Sequence, residues 1–182
     1  MKRFHWLAEQ IKKRDFKYGA EIGVKKGNTT RYLLRACPDL VLYAVDLWAP
    51  QPNKENDLTI ERYNSWDHDK IYQQFKANIR RFRSRVFILR GFSTEVCDLV
   101  QDESLDFVFI DGDHAYPGCL ADLVFWSVKV KIGGLIAGHD IHFPGVYQAV
   151  QEHTQGRYME AGIDHCWYYE KTETRMMQRS LT

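Results

Sequence analysis

The sequence predicts an α/β protein: a doubly wound, mostly parallel sheet with helices on both faces and an antiparallel hairpin at its C-terminal end. Three observations carry this expectation. Short apolar or β-branched runs alternate with segments of helical spacing. The connections between those runs are long enough for crossover helices, as parallel pairing requires. The last two β-type runs stand only a few residues apart, as a hairpin requires. With 182 residues, 45% hydrophobic and 14% aromatic, the chain suits one domain, residues 1–170, around one substantial core.

The elements follow in order. Phe4 to Lys13 is an amphipathic helix within an N-terminal segment, 1–17, that lacks the apolar stretch and small-residue cleavage site of a secretory leader. Tyr18–Val24 is the first strand, followed by a helix through Tyr32, Leu33 and Leu34, and Val41–Val45 is the second strand. Ala49–Trp66, with Pro50, Pro52, Asn53 and Asn56 beside Trp48, Tyr63 and Trp66, has no regular pattern and reads as a lid loop. Asp67 is placed to cap a helix carrying Ile71, Phe75 and Ile79 on one face. Arg80–Arg85 reads as the cationic C-terminus of that helix and a solvated loop. Val86–Leu89 and Leu105–Ile110 are the third and fourth strands, and a helix beginning near Tyr116 is expected to turn Leu120, Val124 and Val128 inward. Gly134–Ala137 is the fifth strand, Val146–His153 a helix, and Arg157–Ala161 and His165–Glu170 form the hairpin across Gly162 and Ile163. Residues 171–182 lose the apolar pattern and are expected to fray.

Composition narrows the partners. Lys and Arg total 25 against 24 Asp and Glu, so no net charge draws the chain to nucleic acid or to an anionic membrane. No apolar run approaches the length of a bilayer span. The four cysteines, Cys37, Cys97, Cys119 and Cys166, lack the paired spacing of a zinc site and read as reduced packing residues, which favours the cytoplasm. The expected partner is a small molecule, with a homo-oligomer left open.

Two groups of residues carry chemistry. The first strand runs into Glu21-Ile22-Gly23-Val24-Lys25-Lys26-Gly27-Asn28-Thr29, a strand-to-helix turn in which glycine lets a ligand approach the backbone. The second strand ends in Asp46, a carboxylate suited to the two hydroxyls of a ribose. The tighter glycine pattern of a dinucleotide site is absent, and Glu21 would repel phosphates but could pair with a ligand ammonium. An ordinary turn with an exposed strand-end Glu21 is the structural alternative. In the second group, Asp111, Asp113 and His114 follow the fourth strand while His139 and Asp140 follow the fifth, so a parallel sheet brings both to the same rim as the nucleoside turn. Such a cluster can supply a base, or ligands for Mg2+ or Mn2+, to a hydroxyl that must lose its proton. Purely structural roles compete here too. Asp113 could cap the helix near Tyr116, His114 could orient that turn, Asp122 could face solvent or support a loop, and Asp140 could cap the helix from Val146.

With Glu21, Gly23, Gly27 and Asp46 in place, the sequence resembles the class I S-adenosylmethionine-dependent methyltransferases, although Lys25 stands where the middle glycine is usual. The runs Phe109-Ile110-Asp111-Gly112-Asp113-His114-Ala115-Tyr116 and Gly133-Gly134-Leu135-Ile136-Ala137-Gly138-His139-Asp140, with Asp122 between them, look like the small-molecule O-methyltransferase branch of cephalosporin-hydroxylase-like and macrocin-type enzymes. The resemblance implies a Rossmann-like, seven-stranded sheet and S-adenosylmethionine as cofactor. It implies ribose contact at Asp46, methionine contacts near Glu21 and Gly23, and adenine contacts near Gly91, Phe92 and Ser93, with Val24, Lys25, Gly27, Thr29, Leu47 and Asp111 completing the cofactor set. It also implies metal ligands at Asp111, His139 and Asp140, with His139 departing from the usual acidic residue. In a metal-free alternative His114 or His139 is the general base, so that His114, Asp111 and His139 are the candidate catalytic residues. The acceptor would be a sugar or a natural-product hydroxyl. A metal-dependent oxygenase and a non-catalytic cofactor-binding module are the competing functions.

Overall fold

A computed structural model describes residues 1–52 and 58–173. Its sheet has seven strands: β1 Tyr18–Ile22, β2 Val41–Asp46, β3 Val86–Arg90, β4 Leu105–Ile110, β5 Val130–Gly138, β6 Met159–Glu160 and β7 Trp167–Glu170. Their spatial order is β3-β2-β1-β4-β5-β7-β6, with the first five parallel and β7 antiparallel to both β5 and β6. The chain therefore winds outward in both directions from the β1/β4 pair, and that reversal is where an open α/β sheet leaves a crevice at the strand C-terminal ends. The predicted fold class holds.

Alternation along the strands divides the core into two layers. In β4, Phe107 and Phe109 face the layer built with α1 (Arg3–Lys13), α2 (Asn28–Ala36) and α4 (His68–Ile79), while Val108 and Ile110 face the other. That second layer is built with α6 (Tyr116–Ser127) and α7 (Pro144–Thr154). The short helices α3 (Leu58–Asn64) and α5 (Ser93–Val96) fall in the connections that follow β2 and β3 in the chain. Asp106, the one charge inside the β4 run, fixes the sheet's register: it accepts the N–H groups of Lys17 and Tyr18 at 2.7 and 2.8 Å and pairs with Lys131 at 2.7 Å. Asp67 caps α4 as expected, accepting from Lys70 N at 2.9 Å.

Several expectations need correction. Helix α6 buries Cys119, Asp122, Leu123 and Trp126, whereas Val124 and Val128 of the expected inner face are 45% and 38% exposed. The hairpin strands are shorter than expected, with residues 161–166 forming a looser connection through left-handed Gly162, Asp164 and His165. Strand β1 stops at Ile22 because Gly23 turns left-handed, while β5 begins earlier, at Val130. The expected lid loop contains α3, and its residues 53–57 lie outside the described residues. Of the expected frayed tail, 174–182 lie outside them as well, and 171–173 form no regular element. The described helices include none long and apolar enough to cross a membrane.

Arg80–Arg85 is a 3-10 turn rather than a solvated loop end, and its last residue is structural. The Arg85 guanidinium donates to Leu34 O at 2.7 Å, Leu40 O at 3.0 Å and Cys37 O at 3.1 Å, satisfying carbonyls that the end of α2 leaves open. Arg85→Ala is expected to lower stability by about 2 kcal/mol, since charge-assisted bonds to part-buried carbonyls are lost together. Urea unfolding should show a lower midpoint with an unchanged slope.

Candidate active site

Strand register brings the site together. Ile22 pairs with Val45 on one side and Ile110 on the other, Ile110 pairs with Gly138, and Asp46 with Arg90. The residues that follow these pairs, or close them, therefore meet at one edge. The ladder continues past the strands: Gly23 N donates to Val45 O at 2.9 Å, Asp111 N to Ile22 O at 2.8 Å, His139 N to Ile110 O at 3.0 Å and Gly91 N to Asp46 O at 3.1 Å. Gly23, Asp46, Gly91, Asp111 and His139 thus stand side by side along the C-terminal edge of five strands.

Around the β1 turn, the polar groups are held in fixed positions. Asp46 accepts Lys25 N at 2.7 Å on Oδ2 and Trp48 N at 3.0 Å on Oδ1, which locks the carboxylate while each oxygen keeps a further lone pair. Lys25 is left-handed, takes the place of a glycine, and holds its Nζ 3.7 Å from the centre of the Trp66 ring. The segment after α3 therefore lies against the turn. Glu21 is buried on the α2 side, accepting from Thr30 Oγ1 at 2.5 Å. Burial, only partly offset by that hydroxyl, pushes its carboxyl up to about 8. It forms no ion pair among the described residues, so a ligand cation would relieve its desolvation. A cavity of about 300 Å3, bordered by Trp48, Pro50, Trp66, His68 and Arg90, opens on the β3 side of Asp46.

The acidic and histidine cluster lies on the other side of Gly23. His114 Nε2 meets Asp140 Oδ2 at 2.6 Å, and His139 Nδ1 lies 2.9 Å from that same oxygen and 3.3 Å from Asp111 Oδ1. Neither His139 contact has hydrogen-bond geometry, and both ring nitrogens are buried without a hydrogen-bond partner. Burial pulls the His139 pKa down, but the neighbouring carboxylates of Asp111 and Asp140 outweigh it and raise it to about 9. His114 is raised chiefly by its bond to Asp140. Asp140 itself, in a left-handed conformation at φ 60°, is pushed up by burial yet held well below the usual carboxylate range by the two imidazoles.

The donor set suits a divalent ion. The ligand atoms of Asp111, His139 and Asp140 all lie within 4.8 Å of one another. A metal with bonds of about 2.1 Å needs adjacent ligands about 3.0 Å apart, close to the His139 separations.

Nearly every site residue expected from the sequence reaches this edge, with qualifications. Val24 and Thr29 bury their side chains, so their backbone alone is available to a ligand. Leu47 is half-buried and Phe92 partly exposed beside Asp46 and Gly91. Asp113 accepts Ala115 N at 2.8 Å and so serves the turn, while Asp140 does not cap α7, whose N-cap position is Phe143 and has no side-chain cap. Of the two alternatives for Asp122, solvent exposure is overturned and support of a loop agrees with the structure: the residue is buried and bonded to Ser93 in the segment after β3. Sequence reasoning missed Arg3 and Asp164. Arg3 reaches back from α1, with Nη2 3.0 Å from Asp111 Oδ2, and its backbone N donates to Asp164 Oδ2 at 2.9 Å.

Comparison with known proteins accords with this geometry. A family model described as a methyltransferase domain matches residues 20–141, from β1 through the end of the acidic and histidine cluster. An uncharacterized protein of Sinorhizobium fredii is 26% identical over 110 residues, which is 58% of this chain but 11% of that protein, so the chain spans about a tenth of that relative's length. An O-methyltransferase from Bacillus cereus, solved with SAH, superposes with a TM-score of 0.65 at 16% identity over 93% of this chain and 80% of that one. The O-methyltransferase TomG from Streptomyces achromogenes, involved in tomaymycin synthesis and solved with SAM, gives 0.65 at 14% identity over 93% and 79%. At such identities the two structures establish the shared fold. The match of the family model, over residues 20–141 of the 182, establishes more: this chain belongs to the methyltransferase-domain family.

Proposed function

We propose that the protein is an S-adenosylmethionine-dependent O-methyltransferase acting on a hydroxyl of a small molecule, of sugar or natural-product type. The observation that carries this reading is the meeting of Glu21 and Asp46 with the His114–Asp140 pair at one sheet edge. The O-methyltransferases with the same fold support an acceptor oxygen, and the role of TomG supports a natural-product acceptor. Bound S-adenosylmethionine supplies an electrophilic methyl group, and transfer to oxygen leaves a proton to be removed.

The chain's own residues divide that work. Asp46 accepts the ribose hydroxyls, and the buried Glu21 faces the ammonium of the methionine portion. His114 is the base. Its Nε2 is committed to Asp140, which leaves Nδ1 for the acceptor proton and stabilises the imidazolium that results. His139, with its pKa raised to about 9, already carries a proton at neutral pH and is a weaker choice of base. Asp111, His139 and Asp140 would hold Mg2+ or Mn2+, with His139 in its neutral form; such an ion lowers the pKa of a hydroxyl it touches. Trp66, against Lys25, places the end of the segment after α3 beside the β1 turn, within reach of a cofactor seated there.

Calorimetry with S-adenosylhomocysteine tests the reading. At pH 7 the free Glu21 is mostly protonated, and an arriving ammonium favours its ionised form. Binding is therefore expected to release up to about one proton, measurable as a dependence of the heat on buffer ionisation enthalpy, and Glu21→Gln should remove that release. Absence of binding up to about 1 mM, beyond the weak end of ordinary ligand affinities, would overturn the cofactor assignment.

A further inference from the structure

Asp122, in the middle of α6, is a buried acid that the reaction does not use. It is 4% exposed, its Oδ1 accepts the hydroxyl of Ser93, and it pairs with no cation among the described residues. Burial pushes its carboxyl up to about 7, against the opposing effect of the Ser93 bond. Its Oδ2 lies under Gly112, where a Cβ would come within 3.1 Å. One carboxyl therefore links the segment after β3 to the turn after β4. The surrounding face of α6, Cys119, Leu123 and Trp126, is apolar. Packing there is served better by an apolar side chain, because an unpaired buried acid costs free energy.

Its partner stands where a nucleobase would lie. Asp46, proposed to hold the ribose, is flanked by the β1 turn on one side and by Arg90 and Gly91 on the other. If the methionine portion extends along β1 towards Glu21, the base falls on the β3 side, against Gly91, Phe92 and Ser93. A hydroxyl that gives its proton to a carboxylate has lone pairs left for a ligand but no hydrogen to donate.

We propose that Asp122 is a positioning residue that sets the hydrogen-bond polarity of Ser93, so that the site takes a purine with an amino donor at C6 and discriminates against its 6-oxo counterpart. The inference rests on the cofactor reading above. With Asp122 ionised, Ser93 Oγ accepts from the exocyclic amine; facing a 6-oxo group, it would place two acceptors together. An asparagine at 122 can donate its amide hydrogen to Ser93, which frees the serine to donate to a 6-oxo group and relaxes the choice.

The experiment is a comparison of Kd for S-adenosylhomocysteine and S-inosylhomocysteine at pH 8, by calorimetry, in the wild type, Ser93→Ala and Asp122→Asn. The wild type is expected to favour the adenosyl ligand by at least about tenfold, and both variants to cut that ratio to about threefold or less. General loosening of the fold would weaken both ligands alike, so the ratio separates a positioning role from a merely structural one. If both variants bind S-adenosylhomocysteine and keep the wild-type ratio, or if the wild type does not discriminate, the inference falls while the cofactor reading stands. If the wild type binds neither ligand, the cofactor reading fails and takes the inference with it. Should Asp122→Asn fail to fold, Ser93→Ala alone decides: an unchanged ratio overturns the proposal.

Discussion

Asp140→Ala is expected to lower kcat by about 10^3-fold while leaving the affinity for S-adenosylhomocysteine within about threefold, because it removes an orienting carboxylate without touching the nucleoside half of the site. Asp140 Oδ2 stands 2.6 Å from His114 Nε2 and 2.9 Å from His139 Nδ1, so one side chain serves the proposed base and is itself one of the three proposed cation ligands. Without it, His114 loses the partner that fixes its tautomer and would stabilise its imidazolium, and Asp111 is left to hold both His139 and Arg3. Asp140→Asn tests the charge separately, since it keeps the shape but puts a neutral amide against Nε2; a loss of similar size is expected. The measurement is single-turnover methyl transfer with a saturating acceptor, which separates chemistry from release. A rate within tenfold of wild type for Asp140→Ala would remove His114–Asp140 from the mechanism. Stability should fall as well. The folded pKa of Asp140 is depressed, so the carboxylate contributes stability above its unfolded pKa, and that stability is lost as pH falls through the folded value. The alanine variant should therefore be less stable than wild type at neutral pH, by an amount that shrinks in acid.

Local pattern made much of this edge legible in the sequence. Asp46 and Asp111 each directly end an apolar run, and in a parallel sheet the ends of successive strands arrive at the same edge, so their meeting followed from topology. Helix α6 was misread because it is apolar nearly all round: Leu120, Val124 and Phe125 compete with Leu123 and Trp126 for the inner face, and the 3.6-residue period does not choose between them. Tertiary packing chose the face that contains Asp122, a carboxylate for which pattern reasoning left solvent exposure open. Arg3 and Asp164 were beyond reach for a different reason. Their contact spans 161 residues of chain, and each looks locally like an ordinary charge, one in a basic helix and one in a turn. Arg85 shares this limit, as the last cation of a run whose other members are solvated or half-buried, because its three carbonyl partners lie in α2 and the loop after it.

Gly23→Ala is expected to destabilise the protein by at least about 3 kcal/mol, and Gly133→Ala by only about 1 kcal/mol, although both glycines are left-handed. The comparison isolates one cause. Gly23 has φ +88° and Gly133 φ +79°, so an alanine meets similar backbone strain at either position. Around Gly133 a Cβ would find nothing within 4 Å, whereas at Gly23 it would lie 2.1 Å from Asp111 O and 2.6 Å from Gly112 Cα. Backbone atoms of a central strand end cannot move aside as a flexible side chain can, so β1 and β4 would have to part at the point where Asp111 N bonds Ile22 O at 2.8 Å. From the sequence, this glycine reads as room for a ligand. In the structure the space is taken first by the neighbouring strand, and the close approach sets Asp111 beside the β1 turn. Urea unfolding of the two variants, read with S-adenosylhomocysteine affinity, checks both parts: Gly133→Ala should bind as wild type does, and Gly23→Ala should lose stability and affinity together. Equal destabilisation by the two substitutions would mean that backbone conformation, and not the approach of the strands, is what requires glycine at position 23.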